Sequence, residues 1–199
     1  IPGNQIAATS ERCLTLDVWA PGGPGDRPVM VWVAGGAYLT GGSSIETYDG
    51  SGLAADEGVV VVSVNYRLGV LAFGWFGGPG TDEAEAGGHW PGDTNCGLRD
   101  QLAALDWVKH NVAAFGGDPA NVTVFGESAG AGSLAHLLAS PALAGLVRRC
   151  ILQSPGIDHT LSPDDVEQVA DAVLDRLSIP RSQRAKLWEV SAEHLVAAQ

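Results

Sequence analysis

The sequence is poor in basic residues, in cysteine and in long apolar runs. Eleven Lys and Arg stand against 23 Asp and Glu, a formal net charge of −12, so no basic stripe can neutralise the phosphates of a nucleic acid or of an anionic membrane. No apolar run approaches the ~18–20 residues that a membrane-spanning helix needs. Cys13, Cys96 and Cys150 are too few and too far apart for a disulfide scaffold or a CxxC zinc site. We therefore expect no nucleic-acid partner and no membrane span.

The composition is that of a globular protein. Hydrophobic residues make up 45% and charged residues 17% of the 199 residues, which suits one domain or an incomplete piece of a larger one. The chain begins at Ile1 rather than Met and does not open on a basic segment followed by an apolar one. We expect that part of the protein lies outside this sequence and that residues 1–199 form a single partial domain.

Short apolar runs alternate with segments of helical spacing along the chain. The predicted strands are residues 13–19, 29–33, 59–64, 122–125 and 150–152, and the predicted helices are residues 98–115, residues 130–140, one starting at Ser162 and one starting near Ser191. The runs at 29–33, 59–64 and 150–152 indicate buried strands, whereas residues 77–95 are polar and rich in glycine and predict a surface loop. The alternation favours an α/β fold with a mostly parallel sheet covered by helices, followed by a helical segment at 160–199.

The strongest chemical signal is the sequence Gly126-Glu127-Ser128-Ala129-Gly130, a G-x-S-x-G motif. It lies between a predicted strand and a predicted helix, the context in which this motif forms a nucleophile elbow. A serine nucleophile stands on a tight, strained turn, and flanking glycines remove side chains that would collide with the neighbouring strand and helix. The alternative is a chance Gly/Ser turn, against which the flanking strand and helix argue. The motif therefore predicts that Ser128 is a nucleophile.

A second signal is the sequence Gly35-Gly36-Ala37, which directly follows a predicted buried strand. Acyl transfer passes through a tetrahedral oxyanion that needs two or three fixed backbone donors, and small residues let the backbone approach a substrate carbonyl. A glycine pair alone is typical of a plain turn. Together with a nucleophile elbow further along the chain, it predicts an oxyanion hole.

Longer motifs extend these two signals over essentially the whole chain. Residues 115–130 match a long serine signature throughout, and residues 10–19 match a second signature except that Arg12 stands where Asp is usual. Further matches lie at residues 64–69, 95–101, 151–154 and 191–199, with Pro155 where glycine is usual. In these motifs the chain resembles the type-B carboxylesterases, the α/β-hydrolase group that includes cholinesterases and bacterial nitrobenzyl esterases. The resemblance implies an α/β-hydrolase fold and hydrolysis of a small carboxylic ester, with no cofactor and no metal.

The resemblance also implies the parts of the catalytic site. Ser128 matches the family's nucleophile, and the backbone amides of Gly36, Ala37 and Ala129 match its oxyanion donors. The family's loop often reads His-Gly-Gly-Gly, whereas this chain has Ala34 in the first position and Ala37 in the last. The donors are retained because they are main-chain groups, but the support of the loop and the acyl pocket are expected to differ.

Two supporting residues come from the same resemblance. Glu127 stands beside the nucleophile where the family also has Glu, and a simple solvated acid is the alternative for it. Ser154 matches a serine that supports the acid of the catalytic triad in the family.

The triad acid and the histidine base have no match within the chain. The family order is Ser, then Asp or Glu, then His, with both later members far beyond the elbow. The five histidines are His89, His110, His136, His159 and His194, and none matches the triad histidine. We therefore expect both groups to come from sequence beyond this chain, and the isolated 199 residues to be inactive.

Two other interpretations remain open. One is a small self-contained serine hydrolase in which Asp171 or Asp175 and His194 complete a triad, although the two acids lie four residues apart on the polar face of a predicted helix. The other is a non-catalytic, esterase-like interaction domain, against which the intact elbow at Ser128 argues.

Overall fold

The computed structural model describes residues 9–23, 25–76 and 95–199, which divide into two units. The first, the sheet unit, contains the described residues of 1–66 and 98–159, and the second, the helical unit, contains those of 67–97 and 160–199. Nearly all of the loop predicted at 77–95 lies outside the described residues. No helix in the described part of the chain is long and apolar enough to cross a membrane.

A five-stranded sheet forms the centre of the sheet unit. Its strands are β1 (Leu16–Trp19), β2 (Arg27–Val33), β3 (Val60–Val64), β4 (Gly117–Glu127) and β5 (Arg149–Gln153), in the spatial order β1-β3-β2-β4-β5. β2 is parallel to β3 and β4, and β4 is parallel to β5, whereas β1 is antiparallel to β3. This arrangement confirms the predicted α/β class with a mostly parallel sheet.

The position of a strand in the sheet decides how deeply it is buried. All five residues of β3 are buried, and Val29, Val31 and Val33 of β2 are almost inaccessible to solvent, as the apolar runs predict. The burial predicted for residues 150–152 is not seen within these 199 residues, where β5 is an edge strand of the described sheet and Ile151 is 46% exposed. The first strand is shorter than predicted: it begins at Leu16, and Leu14 is exposed.

Helices α1 (Ser51–Glu57), α3 (Cys96–Asn111) and α4 (Ala129–Leu138) accompany the sheet, with the first two residues of α3 assigned to the helical unit. The helix predicted at 98–115 is α3 together with a closing 3₁₀ turn, Val112–Phe115. The spacing of Leu98, Leu102, Leu105, Val108 and Val112 predicts one apolar stripe on this helix, and Leu105, Val108 and Val112 are fully buried. α4 starts directly after β4 and is buried along most of its length, as a helix covering a central strand must be.

The helical unit contains α2 (Val70–Phe73), α5 (Pro163–Arg176) and α6 (Ala192–Ala197). α5 begins as predicted, with a capping box in which the Ser162 hydroxyl accepts from the Asp165 amide and the Asp165 carboxylate accepts from the Ser162 amide. The small core of the unit is built from these residues: Phe76, Ala170, Val173, Leu174, Leu187 and Ala198. The helical spacing of Val166, Val169, Ala170, Val173 and Leu177 predicts one buried stripe on α5, but Val169 is exposed.

Candidate active site

Ser128 is the single residue between β4 and α4, and its backbone is strained. Its φ of 52° and ψ of −121° lie in a region that non-glycine residues rarely adopt, at a cost of about 1–3 kcal/mol. The turn is held on both sides, because the Ser128 amide donates to the Gln153 carbonyl at 2.9 Å and the Ser128 carbonyl accepts from the Gly132 amide at 2.8 Å. The backbone therefore has the geometry of a nucleophile elbow.

The two glycines of the motif are required by close backbone contacts. A Cβ at Gly126 would lie 2.8 Å from the Val33 carbonyl oxygen, and a Cβ at Gly130 would lie 2.8 Å from the Ala34 carbonyl oxygen and nearer still to that of Val33. These oxygens belong to the main chain at the end of β2, which cannot move aside as a flexible side chain can. The glycines thus let the start of α4 pack directly on the end of β2.

The loop that follows β2, residues 34–40, has three consecutive residues with positive φ. They are Gly36 at 127°, Ala37 at 55° and Tyr38 at 61°. The Gly36 carbonyl accepts hydrogen bonds from the Leu39 and Thr40 amides, both at 3.0 Å. This 34–40 loop is therefore a tight left-handed turn, and two of its three left-handed residues carry a side chain that disfavours the conformation.

The 34–40 loop lies directly against the elbow. A Cβ at Gly35 would lie 2.5 Å from the Glu127 carbonyl oxygen and 3.2 Å from the Ser128 Cβ. The structure thus brings together the predicted nucleophile and the segment that carries the predicted donors Gly36 and Ala37. Ala129, the third predicted donor, is the first residue of α4 and is buried.

The two predicted supporting residues border this arrangement. Glu127 is exposed at the end of β4, and one of its carboxylate oxygens would lie 3.0 Å from a Cβ at Gly35. Burial, and to a lesser extent the charge of Glu127, raise the pKa of the Tyr48 phenol above its ordinary value. Ser154 is the residue after β5, is exposed and has a φ of 48°.

Tyr66 contacts the 34–40 loop, a role that the sequence motifs do not indicate. Its phenol donates a hydrogen bond of 2.6 Å to the Ala34 carbonyl, the first residue of the 34–40 loop, and the side chain is buried. Burial raises the pKa of this phenol far above its ordinary value, and nearby Tyr38 and Tyr48 add to the rise. The available signal was the motif at residues 64–69, which matched the family without showing what the tyrosine contacts.

Of the four described histidines, two bond to groups of their own helix or its cap, one lies on α4 and one lies after β5. The His110 Nδ1 donates to the Asp106 carbonyl on its own helix, and the His194 ring bonds to the Ser191 hydroxyl, which caps α6. His136 lies on α4 and His159 beyond β5, where its ring is close to Gly156. His89 lies outside the described residues.

Asp171 and Asp175, the acids considered for a self-contained triad, both lie on α5. The carboxylate of Asp171 accepts two hydrogen bonds from the Arg181 guanidinium, at 2.8 and 2.9 Å. Across the described residues, no group of three or more His, Cys, Asp and Glu is placed to hold a metal ion.

Comparison with known proteins gives one consistent result. The sequence model of the carboxylesterase family matches residues 2–198. The para-nitrobenzyl esterase of Bacillus subtilis (strain 168) is 46% identical over 98% of this chain, and the fumonisin B1 esterase of Sphingopyxis macrogoltabida is 47% identical over 80% of it. The chain spans 38% and 29% of the length of these two relatives.

A solved structure of a PNB esterase superposes on the whole chain with a TM-score of 0.84 at 42% identity, and 40% of that structure is covered. The similarity confirms the predicted α/β-hydrolase fold, and the chain corresponds to a part of the longer proteins that share it. The match over residues 2–198 and the shared structure agree with the motifs around Ser128. This chain belongs to the carboxylesterase family.

Proposed function

We propose that the protein containing this chain hydrolyses carboxylic esters through an acyl-enzyme on Ser128. The general base takes the Ser128 hydroxyl proton as Oγ attacks the ester carbonyl carbon, and it gives that proton to the alcohol oxygen as the bond between this oxygen and the carbonyl carbon breaks. Water, which gives a proton to the same base, then attacks the acyl-enzyme, and the carboxylic acid leaves as that proton returns to the Ser128 Oγ. No metal or organic cofactor enters these steps.

The observation that carries this proposal is the strained Ser128 turn lying against the 34–40 loop. Gly35 packs on Glu127 and Ser128, so the amides of Gly36 and Ala37 belong to the segment next to the nucleophile. The Ala129 amide is the first of α4, where the helix dipole favours negative charge. These three amides would stabilise the oxyanion of the tetrahedral intermediate, and Glu127 and Ser154 would support the site from its border.

The acid and the histidine of the triad are proposed to come from sequence beyond this chain. The matched relatives are much longer, since the chain covers 38% of the para-nitrobenzyl esterase. Within the chain, His194 bonds to the cap of its own helix and Asp171 is paired with Arg181, so neither shows the Asp–His hydrogen bond of a triad.

Labelling with a fluorophosphonate and turnover of a p-nitrophenyl ester test the nucleophile in the full-length protein. Ser128→Ala should abolish labelling and lower kcat on the order of 10⁶-fold, because the covalent route is lost. Ser140→Ala is the matched control, since Ser140 follows the other end of α4 and accepts from the Ala142 amide. Labelling that persists in Ser128→Ala would contradict the proposal, and an inert wild-type protein would favour the interaction-domain interpretation.

His194→Ala in the same full-length protein separates the two hydrolase interpretations. Under the proposal, kcat stays within about twofold of the wild-type value, because His194 would take no part in proton transfer. Loss of turnover on the scale expected for a missing general base, about 10²–10⁴-fold, would instead support the self-contained triad.

A further inference from the structure

Tyr38 occupies a backbone conformation that does not suit it. Its φ of 61° is common for glycine and rare for an aromatic residue, and it follows Ala37 at 55°. A glycine would satisfy the turn without strain. The strain therefore has to be offset by interactions of the Tyr38 side chain.

The phenol of Tyr38 reaches across to α4. A Cβ at Gly132 would lie 2.8 Å from the Tyr38 phenol oxygen and 3.0 Å from the Gly156 carbonyl oxygen, so the phenol is in contact with the helix backbone at a residue that has no side chain. Gly132 itself is buried, and so is the next residue, Ser133. The contact joins the 34–40 loop to the helix that follows the elbow.

The same helix residue is bonded to Ser128. The Gly132 amide donates to the Ser128 carbonyl at 2.8 Å, which fixes the first turn of α4 to the elbow. Tyr38 lies one residue after Ala37, so its side chain and the predicted oxyanion donors belong to the same rigid turn. A displacement of the phenol from Gly132 would move the Ala37 amide relative to Ser128.

We propose that Tyr38 is a positioning residue: its phenol, packed against Gly132 of α4, sets the orientation of the left-handed turn at 36–38 and so directs the Gly36 and Ala37 amides at the oxyanion formed on Ser128. The inference rests on the proposed function and adds to it a side chain that determines the geometry of the oxyanion hole. Tyr38 does not touch the reacting atoms in this role, and it acts through the backbone of its own turn.

The Tyr38 phenol is partly buried and lies near the Ser133 hydroxyl. Burial raises the pKa of Tyr38 above 10.0, and the nearby Ser133 hydroxyl offsets part of that rise. Burial therefore favours the neutral form of this phenol, the form that packs against Gly132.

Tyr38→Phe in the full-length protein tests this role, because it removes the phenol oxygen and keeps the ring. Oxyanion donors act in the transition state, so we expect kcat to fall about five- to tenfold with KM within twofold of wild type. The inhibition constant of a trifluoromethyl ketone, which forms a tetrahedral adduct, should rise by the same factor as kcat falls. Tyr48→Phe removes another partly buried phenol outside the 34–40 loop and should leave all three constants within twofold.

A double-mutant cycle with Gly132→Ala tests the contact itself. The added methyl would collide with the phenol oxygen in wild type and not in the Tyr38→Phe background, while its approach to the Gly156 carbonyl is the same in both. Gly132→Ala should therefore lower kcat less in the Tyr38→Phe background than in wild type. An equal effect in both backgrounds would overturn the contact.

Two outcomes separate this inference from the proposed function. A wild-type protein that fluorophosphonate labels at Ser128, with a Tyr38→Phe variant of unchanged kcat and unchanged ketone inhibition, would overturn the positioning role alone. A wild-type protein that is not labelled at Ser128 would overturn the proposed function and the positioning role with it.

Discussion

The elbow at 126–130 and the 34–40 loop both hold residues in left-handed conformations, but different interactions stabilise them. At the elbow, one strained residue is flanked by glycines that pack on main-chain oxygens, and Ser128 is hydrogen-bonded at both its amide and its carbonyl. In the loop, two consecutive residues, Ala37 and Tyr38, are strained. The turn has backbone hydrogen bonds to the Gly36 carbonyl, and it has in addition side-chain contacts made by the Tyr66 and Tyr38 phenols.

This difference determines which parts of the site a sequence reveals. Backbone packing demands glycine at fixed positions, so the elbow is a short motif that can be read directly. The 34–40 loop has one such glycine contact, at Gly35, but it also accepts a hydrogen bond at Ala34 from the Tyr66 phenol, 32 residues away in the sequence, and its Tyr38 phenol contacts α4. Contacts between residues that are far apart in the sequence produce no fixed spacing of residue types. The 34–40 loop can therefore be recognised from the sequence only together with the elbow motif.

Gly130→Ala gives the largest effect we expect, because it breaks the backbone packing of the elbow. Its Cβ would collide with the carbonyl oxygens of Val33 and Ala34, and we expect a loss of at least ~3 kcal/mol in the free energy of unfolding together with loss of turnover. Gly52→Ala in α1 is the control, since a Cβ there meets nothing within 4 Å. Chemical denaturation of both variants gives the comparison, and similar stability for the two would contradict elbow packing.

Ala37→Pro tests the loop at its predicted donor. Proline removes the amide hydrogen and fixes φ near −65°, far from the 55° of Ala37. We expect kcat for a p-nitrophenyl ester to fall by about 10²–10³-fold or more, the effect of losing one oxyanion donor. Retention of most of the activity would show that Ala37 supplies no donor.

Tyr66→Phe tests the remote support of the 34–40 loop. It leaves the Ala34 carbonyl without its donor in a buried position, and we expect a loss of about 1–3 kcal/mol in the free energy of unfolding. Tyr48→Phe provides the reference, because the Tyr48 phenol makes no such bond to any residue in the described part of the chain. If Tyr66→Phe is as stable as this reference, the Tyr66–Ala34 hydrogen bond contributes nothing measurable.

The same bond predicts a pH dependence. The pKa of Tyr66 in the folded state lies above the ordinary value of 10.0, so its stabilising contribution is complete below pH 10 and is lost as the pH rises from there towards the folded pKa. Unfolding free energies measured between pH 9 and pH 11 should fall more steeply for wild type than for Tyr66→Phe. Parallel curves would contradict the burial of this phenol.

Ala37→Gly gives the smallest expected effect and, unlike the other changes, should stabilise the 34–40 loop. Glycine adopts a φ of 55° without the penalty that Ala37 carries, so we expect a stability gain of about 1 kcal/mol. The amide is kept, and kcat should change by less than tenfold, with any change in ester preference confined to the acyl side. A loss of 10²-fold or more would mean that the methyl group, not only the amide, is needed for catalysis.

The sequence predicts which segments form helices and strands, but it does not predict how deeply each of them is buried. β3 and residues 150–152 both have apolar sequences, but among the described residues β3 is paired on both sides and β5 on one side only. Burial depends on neighbours that local sequence does not specify. The start of α5 at Ser162 was predictable because the residues that mark it, Ser162 to Asp165, are consecutive in the sequence.

In the candidate site, too, local sequence predicts some features and not others. Ser128, Glu127 and Ala129 follow from a contiguous motif, and their placement beside Gly36 and Ala37 follows from the parallel order of β2 and β4. The roles of these residues remain predictions that the experiments above test. The contact between Tyr38 and Gly132 joins residues nearly a hundred positions apart, and no local pattern indicates it.

The register of β4 restricts which changes of chain length the protein can tolerate. β4 is paired on both sides, with Val122 opposite Val29 and Gly126 opposite both Val33 and Leu152. One inserted residue between 122 and 126 would advance Ser128 by about 3.3 Å or turn buried valines to the opposite face. Insertions and deletions in this lineage should therefore accumulate in connections such as 20–26 and be absent from the strand that ends at the serine.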